Sequence, residues 1–310
     1  MSARTGTTDE EFIELFKRLG SPARVADELG INVRNVYTRR RAIEGRHGIT
    51  LEAAKPEVIH PARVAKYYDK PVDIAVFTDP HFWPNELSPA FFILHQAIET
   101  YKPDIVLCTG DILDGARISR HPRRGWETSP TLKQELEAAQ EAMGLIFDAS
   151  RGADHLLTKA NHDDRFDNYL SANASQFEGL PGTRLYDYFP GWEVSDLITI
   201  NDALAAFHDW HSGIHGAFNN TLKAGISTVS GHTHRCTVRE WTDFTGTRYG
   251  IEAGTLANIY GPQFAYTKMR PVNWQSGFAW IHIDGATITP ERIVVTPEGT
   301  ARWRGKTWRG

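Results

Sequence analysis

The sequence predicts an α/β protein with a small all-α segment in front of it. Two observations lead there. From residue 72 onward, short apolar runs bounded by turn residues alternate with stretches of helical period, the order that builds strand-helix-strand units. Before residue 50 there are three short helical stretches, punctuated by Gly20 and Gly30, and no strand-like run. The expected division is a helical domain over residues 1–50, a linker over 51–71 and an α/β domain over 72–310. The composition, 41% hydrophobic and 23% charged, is that of a globular protein with a real core. A net charge of −4 excludes a chain that is basic throughout, while leaving room for a local basic face. Cys108 and Cys236 lie far apart inside strand-like sequence, which argues against a disulfide framework and for a reducing cytoplasm. The first ten residues lack the apolar centre of a signal peptide, and no run approaches ~18 apolar residues, so no membrane partner is expected.

Thr8-Asp9-Glu10-Glu11 ahead of an apolar stretch is a helix start. Gly20-Ser21-Pro22 stops that helix and opens another, residues 23–29, with serine as cap and proline in first position. Gly30 ends it, and Asn32 or Asn35 opens a third helix over residues 33–43. Two helices joined by a tight glycine turn follow the helix-turn-helix plan. Residues 21–41 resemble the helix-turn-helix domains of phage and bacterial DNA-binding proteins. Charge agrees locally: residues 31–46 hold Arg34, Arg39, Arg40, Arg41 and Arg46 against Glu44, five minus one, or +4. Arg34, Arg39, Arg40 and Arg41 are the candidate contacts to phosphates or base edges, making DNA the expected partner. The competing use of such a helix is packing on the main domain or on a partner protein.

The α/β part delivers polar residues at one strand end after another. The run 72–78 ends in Asp79-Pro80-His81, and a helix over about 88–100 follows. The run 104–109 breaks at Gly110 and delivers Asp111, with Asp114 three residues on. Next comes a loop dense in arginine (Arg117, Arg120, Arg123, Arg124), suited to clamping a phosphate through planar forks of donors or simply to facing solvent. A helix over about 129–149 leads to the run 155–159, which ends in Ala160-Asn161-His162-Asp163 and continues as a helix to about 176. The run 204–207 ends at His208, with His211 and His215 close behind. A helix over about 216–224 and the run 226–230 end the series in Gly231-His232-Thr233-His234. Ligands of α/β sheets bind beyond the carboxyl ends of the strands. Any one fragment is ordinary turn chemistry. Five in this order, offering carboxylate, imidazole and amide donors, point to a metal site.

Asp79-x-His81, Gly110-Asp111-x-x-Asp114, Asn161-His162-Asp163, His208 and Gly231-His232-x-His234 resemble the ordered signature of the calcineurin-like metallophosphoesterases. The resemblance spans about residues 72–283 and implies a two-sheet αββα sandwich. It implies that Asp79, His81 and His234 hold one divalent cation, that Asn161, His208 and His232 hold the other, and that Asp111 bridges them. His162 would be the catalytic histidine and Asp114 the carboxylate that orients it. His211 remains an alternative to His208. Ala160 departs from the family's usual glycine, costing ~1 kcal/mol if that turn needs a positive φ. Segments such as residues 278–283 and 292–296 are expected to supply the second sheet. Donors without thiolate suit Mn²⁺, Fe or Zn²⁺, with Mn²⁺ favoured. Such a pair of cations supports in-line attack by a bridging hydroxide. Residues 161–170, the approach to Gly231-His232-Thr233-His234-Arg235 and residues 273–278 look most like phage and prophage members, which implies the bacterial host cytoplasm as the setting. The expected activity is a phosphodiesterase or nuclease acting on DNA. A small-molecule phosphoesterase for nucleotides or cyclic nucleotides, tethered by the N-terminal module, is the alternative, and a non-catalytic DNA-binding scaffold a third.

Overall fold

Capping residues fix the ends of the first three helices. Helix α1 (Asp9–Leu19) starts at Thr8, whose hydroxyl accepts from the Glu11 amide while Glu11 accepts from the Thr8 amide. Helix α2 (Pro22–Leu29) begins on its proline, and Ser21 makes no side-chain cap bond. Helix α3 (Val33–His47) opens at Asn32, whose side chain accepts from the Arg34 amide. Gly20, Gly30 and Gly48 end the three in the left-handed conformation. Phe12, Phe16, Val25, Val36, Ile43 and Leu51 form a separate small core. The computed structural model describes residues 7–52, 63–120, 129–268 and 270–310, and the chain falls into two units, Met1–His60 and Pro61–Gly310.

The second unit is built on two six-stranded sheets. In the first, β2 (Val72–Phe77), β3 (Ile105–Cys108), β4 (Asp154–Thr158) and β5 (Glu193–Ser195) run parallel. Strand β11 (Gly277–Asp284) pairs antiparallel with β2, and β12 (Thr287–Val294) lies outside it. Alternation divides the strand side chains between two cores. Ala75, Phe77, Val106, Cys108 and Leu157 meet the crossover helices α4 (Pro89–Tyr101) and α5 (Leu132–Ala149). Val72, Ile74, Val76, Ile105, Leu107 and Leu156 face the other sheet.

That second sheet has the order β1-β6-β7-β8-β10-β9. It comprises β1 (Arg63–Lys66), β6 (Leu197–Ile200), β7 (Leu204–Ala206), β8 (Ser227–Ser230), β9 (Cys236–Asp243) and β10 (Gly246–Ala253). Ile198, Ile200, Leu204, Val229 and Ile251 are its inward residues. Helix α7 (Gly216–Ala224) covers the outer face so closely that a Cβ on Gly250 would lie 2.0 Å from the Ala217 carbonyl oxygen. Helix α6 (Asp164–Asn173) follows β4, and a final hairpin, β13 (Thr300–Trp303) with β14 (Lys306–Arg309), packs Trp303 and Trp308 around Tyr101. The layering is helix, sheet, sheet, helix. No helix among the described residues is long and apolar enough to cross a membrane.

Two expectations need correction. Residues 63–66, expected within a linker, are strand β1, paired with β6. Residues 278–283 and 292–294 belong to the first sheet, in β11 beside β2 and in β12 beyond it, and not to the second. Strand β11 is almost wholly apolar and buried, as suits a strand covered on both faces, but hydrophobicity does not say which sheet it joins.

Candidate metal centre

The carboxyl ends of β2, β3 and β4 from one sheet and of β7 and β8 from the other converge. Main-chain bonds lock the turns together: the Asp79 amide donates to the Gly110 carbonyl (3.0 Å), His81 to Asp111 (3.0 Å) and Gly231 to His208 (3.1 Å). Asp79, His81, Asp111, His232 and His234 sit at φ of 47°, 38°, 56°, 69° and 55°. Such left-handed torsions outside glycine cost of order 1 kcal/mol or more each and persist only where the surroundings impose them. Gly110 has φ 88°, and a Cβ there would lie 2.4 Å from the Ala160 Cβ and 2.9 Å from the Thr158 carbonyl oxygen. Ala160 is not among the residues with positive φ, so the alanine carries none of the torsional cost that such a φ would bring. Gly110→Ala is expected to lower the unfolding free energy by ~2–4 kcal/mol, torsion and overpacking together, as read from denaturant melts. A loss under ~1 kcal/mol would mean that the turn yields easily.

Two donor groups are assembled. Asp79, His81 and His234 form the first: His81 Nε2 lies 3.3 Å from His234 Nε2, which is 3.2 Å from Asp79 Oδ1. Asp111, His208 and His232 form the second, with Asn161 among them. His208 Nε2 stands 3.2 Å from Asp111 Oδ2 and 3.0 Å from Asn161 Oδ1, and His232 Nδ1 stands 3.0 Å from the same amide oxygen. Asp111 connects the groups, because its Oδ2 is also 3.8 Å from His81 Nε2. A single oxygen faces both sides, since Oδ1 accepts from the His162 amide (2.9 Å).

This donor set fits divalent cations. The Thr109 carbonyl can only accept, so His208 Nδ1, 2.6 Å away, carries the ring proton and leaves Nε2 as a lone pair. That lone pair, a carboxylate oxygen and an amide oxygen then converge with no hydrogen to share. Asp79 and Asp111 are buried, and their ion-pair partners among the described residues are histidines alone. Uncompensated buried carboxylates are costly, and a cation removes that cost. Without one, protons take up the role: burial opposes the charged form of His208, but Asp111 and Asp79 outweigh it and push its pKa up to about 10. His81 goes the other way, to about 3, through burial and then the neighbouring His162, which keeps its imidazole neutral and able to ligate.

His162 stands beside the cluster. Its Nδ1 lies 3.1 Å from the Asp114 carbonyl oxygen and 3.3 Å from Asp114 Oδ1, so that nitrogen bears the proton. Burial works against the charged ring, yet the bond to Asp114 and the charge of Asp111 leave its pKa raised.

Other expected residues fare differently. His208 is buried in the cluster, whereas His211 is exposed. Arg117 donates to the carbonyls of Ser129 (2.8 Å) and Pro130 (2.9 Å), so its guanidinium closes a loop and is not the free phosphate clamp expected. Arg120 is exposed, and Arg123 and Arg124 lie outside the described residues. In α3, Arg39 bonds to the Thr7 and Thr8 carbonyls and covers Phe12, while Arg40 pairs with Glu44 (2.8 Å) and covers Phe16. Both serve their own domain, leaving Arg34 and Arg41 exposed.

Arg165 and Tyr266 carried no sequence signal, and Asp163, part of the signature, had no role assigned to it. Arg165 donates to the Asp114 carbonyl (2.6 Å) and sets Nη2 3.0 Å from His162 Nε2. Asp163 accepts from the Ile112 (2.9 Å) and Leu113 (3.2 Å) amides, pinning the Asp111 turn. Tyr266 has its pKa raised by burial and then by the charge of Asp114.

A two-sheet sandwich with aspartates and histidines gathered at its strand ends is the layout of a metal-dependent phosphoester hydrolase. The chain belongs to the calcineurin-like phosphoesterases: that family's profile matches residues 72–236. It is similar to the Gene 54 protein of Mycobacterium phage L5, 26% identical over 234 residues, covering 67% of this chain and 87% of that one. The Gene 54 protein of Mycobacterium phage D29 is 26% identical over 221 residues, 63% and 82% of the two chains. Among solved structures, the E. coli phosphoesterase Yfce matches with TM-score 0.36 and 10% identity, covering 74% of this chain and 96% of that one. TT1561 of Thermus thermophilus matches with TM-score 0.33 and 8% identity over 71% and 98%.

Proposed function

We propose that this hydrolase is a two-cation phosphodiesterase acting on DNA. The observation that carries the reading is Asp111 Oδ2, which faces both donor groups at once. Asp79, His81 and His234 would hold one cation, Asn161, His208 and His232 the other, with Asp111 between. Bound there, divalent cations supply Lewis acidity toward a phosphoryl oxygen and lower the pKa of water. Mn²⁺ is favoured over Fe and Zn²⁺ for these nitrogen and oxygen donors. The chain's own residues do the rest. Asp114 fixes the ring of His162 through Nδ1, which leaves Nε2 as the atom that would exchange a proton with the leaving oxygen. Arg165, at His162 Nε2, sits where its guanidinium meets a phosphate approaching that nitrogen.

The DNA part of the reading rests on α2 and α3, joined through the left-handed Gly30 in the helix-turn-helix manner. Arg34, Tyr37, Thr38 and Arg41 recur at helical spacing and are all exposed, making one polar face with two free guanidinium groups. The test uses the full-length protein with Arg34→Ala and Arg41→Ala combined. Duplex affinity should fall, and the slope of log K against log salt should shrink by about two, one unit per phosphate contact. Hydrolysis of bis-p-nitrophenyl phosphate reports that the second unit remains folded. An unchanged slope refutes DNA tethering by α3. Faster turnover of cyclic nucleotides than of single- or double-stranded DNA would replace the nuclease reading with the small-ester one.

A further inference from the structure

A groove of about 600 Å³ is bounded by residues between 259 and 274. Buried Phe264 forms part of its wall, with its ring 5.3 Å from that of His81 and 5.4 Å from that of His234. Trp274 stands 5.1 Å from Phe264 and 4.6 Å from His234. Phe264 and Trp274 therefore touch both the groove and the histidines of the metal centre. Farther out, Tyr260 lines it with 66% of its surface exposed. Lys268 and Arg270 also line it, and no carboxylate does so among the described residues.

These features select a ligand class. A bare phosphate has no use for three aromatic side chains, and an apolar ligand has none for two cations. Flat rings with an uncompensated positive edge suit a nucleobase carried on a phosphodiester backbone, since bases stack on aromatic side chains while lysine and arginine follow the phosphates. A base inside a duplex has both faces covered, so only an unpaired one can stack there. We propose that the groove seats the unpaired nucleobase next to the scissile phosphate, stacked against Trp274 and Tyr260, with Lys268 and Arg270 meeting the adjoining backbone. This rests on the phosphodiesterase reading and adds a single-stranded stretch at the cut.

The test compares thymidine 5′-(p-nitrophenyl phosphate) with methyl p-nitrophenyl phosphate, which share a leaving group, using the full-length protein and Mn²⁺. One stacked base should favour the nucleoside ester in kcat/KM by about 5- to 150-fold. Tyr260→Ser should reduce that ratio several-fold, whereas Lys268→Ser, whose partner phosphate these esters lack, should leave the ratio unchanged and act only on the oligonucleotide. A second readout needs no turnover: pentathymidylate should quench tryptophan fluorescence saturably in EDTA, and more weakly in both variants. A wild-type ratio near one, a ratio that Tyr260→Ser leaves intact, or quenching that both variants leave intact overturns the groove assignment while the phosphodiesterase reading stands. Variant-sensitive quenching with neither ester hydrolysed would uphold the groove and overturn the phosphodiesterase.

Discussion

Asp111→Asn is expected to lower kcat/KM for a phosphodiester by about a thousandfold or more, some 4 kcal/mol of transition-state stabilisation. Asparagine is nearly isosteric and can still accept the His162 amide, so the turn should survive. What disappears is the charge on the one oxygen that faces both donor groups. Two thermal melts separate this from misfolding. In EDTA the variant should melt lower than the wild type, because the buried ion pair of Asp111 with protonated His208 is broken. With Mn²⁺ added, the wild type should gain stability by linkage and the variant should gain much less. A variant that retains the Mn²⁺-dependent gain and a tenth of the activity would remove Asp111 from its place between the cations.

His162→Ala should lower kcat by ~10²–10⁴-fold, the usual range for a positioned proton donor, while bound metal stays at the wild-type level. That split separates a residue acting on substrate from a ligand. Asp114→Ala should do less, ~10–100-fold, as for other residues that orient a catalytic or ligating imidazole. The reason is that His162 Nδ1 faces the backbone carbonyl of Asp114 at 3.1 Å as well as its carboxylate, and the carbonyl outlives the substitution. Equal losses in the two variants would mean that the carboxylate does more than hold the ring. Metal loss in His162→Ala, measured by elemental analysis, would make His162 a ligand.

The site was more legible than the frame around it. Asp79, His81, Asp111, Asn161, His208, His232 and His234 each follow an apolar run, so spacing located the fragments, the family resemblance picked these residues from them, and the structure brings them together. Sheet membership was hidden, because β11 and an interior strand of the other sheet have the same apolar pattern. Arginines were the least legible. Arg117, Arg39 and Arg40 were singled out by local density, yet each is committed to partners that no sequence window contains: a loop carbonyl, the chain before α1, a ring beneath the guanidinium. Arg165 went unmarked although it touches His162, because one arginine a turn into a helix leaves no pattern. The aromatic groove was similarly silent, since Tyr260, Phe264 and Trp274 share no period and meet only through a loop.

The left-handed torsions at Asp79, His81, Asp111, His232 and His234 also bear on descent. Each holds a functional side chain on backbone that glycine would occupy at less cost. A lineage released from the need to hydrolyse its substrate would find its stabilising substitutions at these positions first, so decay of function and gain of stability would coincide there. Silent descendants of this enzyme should be recognisable by glycine where the ligands stood, on an otherwise intact sandwich.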